Sequence, residues 1–170
     1  YAQFIRYLEQ QGKINRELEF LPDKEEIARR SAENQGLTAP EIAILLTYSK
    51  IVLKEEILAS KLLDQLILHK IILFAFPATL RSKYYLQMKT HNLQREIIAT
   101  QISNHLVNEM GITFIYRMKK ESGASLDKII IAFVIAKMIF NKDKLWQSIE
   151  ALDLKVDAGL QLVMLKQIRR

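Results

Sequence analysis

At 170 residues, 49% of them hydrophobic, the chain is long enough to bury one sizeable core and too apolar for disorder. It has no cysteine, which excludes disulfides and thiolate metal sites and suits a cytoplasmic protein. The net charge of +6 is mild and unevenly spread, with 12 Lys/Arg against 11 Asp/Glu in residues 1–85 and 13 against 8 in residues 86–170; a mixed, solvated surface accounts for it better than a basic face for nucleic acid.

Only five Gly and three Pro interrupt a chain rich in good helix formers. Ala2 to Gln11 reads as a helix with Phe4, Ile5 and Leu8 on one side and Gly12 as its stop. Ile14 to Leu21 reads as a short turn of helix closed by Pro22. Asp23 and Glu26 then form a capping-box pattern, opening a polar helix whose Arg29, Arg30 and Glu33 face water and which Gly36 ends. Thr38 and Glu41 form a second capping box, with Pro40 in the first turn, where its missing N–H does no harm. The helix that follows, to about Ala59, is apolar nearly all round and so belongs at the centre of a bundle. Lys50, lying between two of its apolar clusters, is expected to extend its stem to the surface.

A further helix is predicted from Asp64 or Gln65 to Phe74, and another from Ala78 to about Met88, after the break at Pro77. Arg81 and Lys83 beside Tyr84 and Tyr85 have the residue types of a nucleic-acid contact, but also those of an ordinary core edge. His91 to Gly111 carries the strongest helical pattern, followed by a second helix to Gly123. Ser125 caps a helix to Phe140, which Asn141 ends; Lys144 to Leu152 and Val156 to Arg170 complete the chain. Lys166, Arg169 and Arg170 suit the negative end of the last helix dipole. The most apolar run, Ile129 to Phe140, contains Lys137 and is well short of the roughly 20 residues of a membrane span. No strand pattern with period two is bounded by turns. The expected fold is therefore all-α, an irregular bundle of about eight or nine helices with no sheet, in a single domain over residues 1–170. The chain opens at Tyr1 within a helical pattern and closes within another, as expected of a piece of a longer polypeptide.

No chemistry is legible in the motifs. The five glycines form neither a dinucleotide fingerprint nor a phosphate loop. His69, His91 and His105 lack metal-ligand spacing, and no nucleophile-elbow pattern occurs. No catalytic, cofactor-binding or metal-binding residue is assigned. What stands out is a polar set on an apolar helix stripe. Leu93, Ile97, Thr100, Asn104 and Val107 follow one helix face, and Thr100, Asn104 and Asn108 line up at i, i+4 and i+8. A polar group facing a core needs a hydrogen bond, so these three are expected to form a structural network that fixes helix register, with Gly111 setting the bend. On that reading Asn104→Ala costs roughly 1–3 kcal/mol.

At these residues the sequence resembles a known family. INRELEFLP (Ile14–Pro22), GLTAPEIAILLTYSK (Gly36–Lys50), Phe76-Pro77 and REIIAT (Arg95–Thr100) stand in order. Asn104, Val107, Asn108, Gly111, Thr113, Phe114 and Arg117 follow, then ESGAS (Glu121–Ser125), Trp146, IEALD (Ile149–Asp153) and Gln161. Together they resemble the C-terminal region of the very large bacterial NAD-specific glutamate dehydrogenases. Asn92, Gln94 and His105 stand where that family would have more basic residues. The resemblance implies a parent enzyme that oxidatively deaminates L-glutamate to 2-oxoglutarate and ammonia with NAD, its glutamate-binding and NAD-binding segments lying upstream. No catalytic residue of that family has a counterpart here. The resemblance thus implies a non-catalytic, cytoplasmic, structural or assembly domain packing on the upstream catalytic domain of the same chain, in a homo-oligomer. The alternatives are an effector-binding regulatory domain of the same enzyme and, less favoured, a helical nucleic-acid-binding module.

Overall fold

The computed structural model describes residues 1–168, apart from the side chain of Asp143. Among the described residues there is no strand, and the all-α expectation holds. The α-helices are α1 (Ala2–Gln10), α2 (Lys24–Ala32), α3 (Ala39–Ala59), α4 (Ala78–Lys83), α5 (Tyr85–Lys89), α6 (Gln94–Met110), α7 (Phe114–Ser122), α8 (Leu126–Ile139), α9 (Lys142–Glu150) and α10 (Ala158–Ile168). Arg169 and Arg170, expected at the end of the last helix, lie outside the described residues; Lys166 does stand in the last turn of α10.

Helix α3 is the axis of the domain. Thr38 and Glu41 complete the capping box at its start: the Thr38 N–H donates to Glu41 Oε2 at 2.7 Å, and the Glu41 N–H donates to Thr38 Oγ1 at 3.5 Å. Its apolar surface is divided between two cores. Leu45 and Val52 pack with Phe4, Ile5 and Leu8 of α1 and with Ile14 and Leu21 of the following loop. Leu53 and Ile57 pack with Ile98, Ala99, Ile102, Leu106 and Val107 of α6, with Leu68 and Ile72, and with Ile130 of α8. A helix that walls two cores must be apolar on both sides, which explains its unpatterned composition.

The buried residues of α3 and α6 include small ones: Ser49 on α3, Ala99 and Ser103 on α6. Each serine satisfies its hydroxyl within its own helix, Ser49 donating to Leu46 O at 2.9 Å and Ser103 to Thr100 O at 3.1 Å. Small side chains let the two backbones approach without a buried, unpaired polar group.

Several sequence expectations shift. Asp23 accepts from the Glu26 N–H at 2.7 Å, but the Glu26 carboxylate turns to Arg29 and Arg30 instead of back to the cap, so the first capping box is only half formed. Arg30 does not simply face water: it donates to both Glu41 oxygens, at 3.1 and 2.9 Å, and so ties α2 to the buried Glu41 in the first turn of α3. Asn34 at φ +55°, not Gly36, takes the left-handed position after α2, as a short amide side chain can. Ile14 to Leu21 is a set of turns held by Arg16, which pairs with Glu9 and donates to Pro22 O at 3.0 Å. The apolar run Leu66–Ala75 winds as a 3₁₀ helix after a shorter one at Leu62–Asp64, not as an α-helix. It has no side-chain cap, and Pro77 holds Phe76 extended. The helix expected over Ala78–Met88 breaks at Tyr84, beside a second aromatic residue of modest helix propensity.

Helix α6 carries the clearest correction. It begins at Gln94, after a turn in which His91 Nδ1 accepts the Leu93 N–H at 3.1 Å. Its buried face is Ile98, Ala99, Ile102, Ser103, Leu106 and Val107, whereas Leu93 is 56% exposed. The stripe through Leu93, Ile97, Thr100 and Asn104 thus runs along the border of the core, one residue away from its centre line.

This placement is testable by chemical denaturation. Leu106→Ala, at a fully buried position, should cost about 2–5 kcal/mol. Leu93→Ala should change stability by less than about 0.5 kcal/mol. Equal costs at the two positions would contradict the assigned face.

Candidate functional site

The structure brings together none of the three singled-out polar residues by hydrogen bonding. Thr100 Oγ1 donates to Glu96 O at 2.7 Å, one turn back in its own helix. Asn104 is half-buried and Asn108 exposed; neither side chain has a hydrogen-bond partner among the described residues, and no described buried side-chain polar atom is left unpaired. The three line up along α6, but at its wet margin, where water serves an amide as well as protein does. Asn104→Ala is accordingly expected to change stability by less than about 0.5 kcal/mol, not by the larger cost of breaking a buried network.

The cleft with the most chemistry lies elsewhere, between α1, α3 and the α6–α7 corner. Phe4, Tyr7, Val52, Glu56, Tyr116 and Lys119 are among its lining residues, and its empty space, open mouth included, is about 430 Å³. Gly111 forms the corner at φ +95°, a conformation that strains any residue with a Cβ. Gly123, at φ +65°, closes α7 in the left-handed conformation. Three rings line one side: Tyr116 lies 5.1 Å from Tyr7 and 5.8 Å from Phe4 between ring centroids. At the rim, Lys119 Nζ donates to Glu56 Oε2 at 2.6 Å, and the Tyr7 hydroxyl donates to Glu56 Oε1 at 3.4 Å. Burial raises the Tyr7 phenol above its ordinary range, and the Glu56 carboxylate adds to the effect by disfavouring a second negative charge. Tyr7, Glu56 and Lys119 are separated by 49 and 63 residues, so no local motif could have announced them. Both Glu56 oxygens have protein partners and the lining is otherwise mainly apolar, so the arrangement works as a clamp joining α1, α3 and α7.

A second carboxylate links α6 to α8. Glu109 Oε1 accepts from Lys137 Nζ at 2.8 Å and lies 3.1 Å from His105 Nδ1. Burial pushes its carboxyl upward, but hydrogen bonds from His105 and Lys137 outweigh that and hold it below the ordinary range. Among the described residues, no group of three or more His, Asp or Glu side chains is placed to hold a metal ion. No described helix is long and apolar enough to cross a membrane.

This geometry can be set beside known proteins. The family model described as "Glutamate dehydrogenase, C-terminal" matches residues 34–170. The chain belongs to the glutamate dehydrogenase C-terminal family. Over all 170 residues it is 42% identical to the NAD-specific glutamate dehydrogenase of Halomonas elongata and 43% identical to that of Pseudomonas aeruginosa. Over 164 residues, 96% of the chain, it is 38% identical to the Mycobacterium tuberculosis protein of the same name. The chain spans about 10% of the length of each of these relatives. The family match takes in α3 to α10, and with them both the Glu56–Lys119 clamp and the Glu109–Lys137 link; Tyr7 lies outside it.

Two titrations test these assignments in this family member. Glu56→Gln should lower the Tyr7 pKa toward that of a free tyrosine, read by near-ultraviolet absorbance, with little loss of stability because Glu56 and Lys119 are each about a third exposed. An unchanged Tyr7 titration would show that Glu56 does not act on it. For Glu109 the folded pKa is depressed, so its contribution is present above the unfolded value of about 4.3 and is lost as pH falls through the folded value. Glu109→Gln should therefore be less stable than the parent at neutral pH, and the gap should close in acid; a gap that stays constant down to acid unfolding would contradict the assignment.

Proposed function

We propose that residues 1–170 act as a C-terminal, non-catalytic structural domain of an NAD-specific glutamate dehydrogenase, packing on the catalytic part of the same polypeptide or on another subunit. The parent enzyme would oxidatively deaminate L-glutamate to 2-oxoglutarate and ammonia with NAD in the cytoplasm, with the NAD and glutamate sites outside this domain. The membership in the C-terminal family and the names of the relatives support this.

One observation carries the structural reading: the chain exposes more surface than a self-sufficient domain of its size. Its accessible area is 11215 Å², whereas a compact monomer of 19.8 kDa would expose about 8,600 Å². The difference is about 2,600 Å², more than the roughly 800 Å² that each partner buries in an interface of standard size. Large apolar side chains contribute to the exposed surface. Helix α10 contains Leu160, Leu162, Val163, Met164, Leu165 and Ile168, yet none of its residues is buried. Met138, Ile139 and Phe140, at the end of α8, are also exposed. Exposed apolar side chains on α8 and α10 support a contact with further protein.

The test is deletion of this domain from the full-length enzyme. NAD-dependent glutamate oxidation or oligomer formation should be lost, as read by NADH production and size-exclusion chromatography. Normal activity together with a normal oligomeric state would overturn the reading.

A further inference from the structure

The face built by the 3₁₀ segment Leu66–Ala75 with α4 and α5 has a composition that the rest of the domain lacks. Between Asp64 and Glu96 the sequence contains no acidic residue and five Lys/Arg. Asp64 pairs with Arg95 at 2.7 Å, which leaves Lys70, Arg81, Lys83 and Lys89. None of these four forms a salt bridge among the described residues, whereas Lys13, Arg16, Arg29, Arg30, Lys119 and Lys137 elsewhere do.

Three of the four lie over aromatic rings instead. The Arg81 guanidinium is 5.2 Å from the Phe74 ring centroid, Lys83 Nζ is 5.3 Å from that of Tyr84, and Lys89 Nζ is 4.9 Å from that of Tyr85. Arg81 is further fixed by donating Nε to Phe76 O at 2.9 Å. The cations are thus positioned but not neutralised, since a ring face attracts a cation without cancelling its charge. Around them, Leu66, Phe74 and Leu86 are exposed by 80%, 62% and 70%.

We propose that this face docks an acidic polypeptide surface, whose carboxylates meet Lys70, Arg81, Lys83 and Lys89 and whose apolar side chains cover Leu66, Phe74 and Leu86. On the function proposed above, on which this step rests, the remainder of the dehydrogenase polypeptide supplies that surface. Charge complementarity fixes the sign of the partner, because four cations without a salt bridge in one acid-free segment repel a basic one. The exposed leucines set its class: they gain from an apolar protein surface and find no counterpart in a phosphodiester backbone. Each ring already holds a cation of this chain over one face, at 4.9–5.3 Å from its centroid.

Zero-length carbodiimide cross-linking of the full-length enzyme, followed by peptide mass spectrometry, tests this, since the amide forms only where a lysine ammonium touches a carboxylate. Links from Lys70, Lys83 or Lys89 to Asp or Glu outside residues 1–170 are expected. Acetylation of these lysines should also be several-fold slower than that of Lys24, which is exposed on α2. If all three react as fast as Lys24 and form no such link while Lys144 or Lys166 is protected, this face is not the docking surface although the packing reading stands. If no lysine of the domain is protected, both fail. Protection that nuclease treatment abolishes would overturn the proposal in favour of a nucleic acid.

Discussion

The burial of one face of α6 against α3 is the constraint on which the domain depends. Ile98, Ala99, Ile102, Leu106 and Val107 close on Leu53 and Ile57, and every other element is placed by what it adds to that pair. The 3₁₀ segment brings Leu68 and Ile72 to it, and α8 brings Ile130. On its other side α3 holds α1 through Leu45 and Val52. The ion pairs sit at the edges of these cores: Arg30–Glu41 ties α2 to α3, Lys119–Glu56 ties α7 to α3, and Lys137–Glu109 ties α8 to α6. Each joins elements that apolar packing has already brought near. Their contribution is therefore orientation more than energy, because partly exposed pairs stabilise little.

The domain is unevenly finished. Around α3 and α6 large side chains are fully buried, while the C-terminal hairpin of α9 and α10 has Ile149 as its one described buried residue. A helix as apolar as α10 gains little by folding into water, so its sequence makes physical sense as half of an interface. The basic, aromatic face near α4 and α5 is incomplete in another way: its charges are held in place without counter-charges. On the proposed reading, a domain with a closed centre and two uncovered faces is completed by what packs against it.

Helices with clear boundary chemistry were legible in the sequence. The Thr38–Glu41 box, Pro40, Gly12, Gly111 and Gly123 set element ends where local rules place them. The interior of α6 was harder to read. Helical periodicity reveals a stripe but does not centre it, and a shift of one residue moved Leu93 from core to water and Thr100 and Asn104 to the margin. The 3₁₀ winding of Leu66–Ala75 was illegible for a related reason: a segment apolar on all sides has no periodicity to distinguish two helix types. Tyr7, Glu56 and Lys119 meet only through the tertiary fold, so the cleft they rim could not be read from spacing. The family, by contrast, was legible, because the Gly36–Lys50 and Arg95–Gly111 blocks code for the paired helices at the centre.

The central claim is that this domain's uncovered surface is covered in the complete enzyme. Amide hydrogen exchange in α10 of the full-length protein tests it most directly. Helix α10 is short and has no buried residue of its own, so without a partner its amides should open at low cost. The account predicts that the amides of Leu160 to Leu165 exchange nearly as slowly in the full-length enzyme as those of the α6 core around Ile102. Exchange there as rapid as in an unprotected terminal helix would show that α10 stays uncovered and would contradict the account.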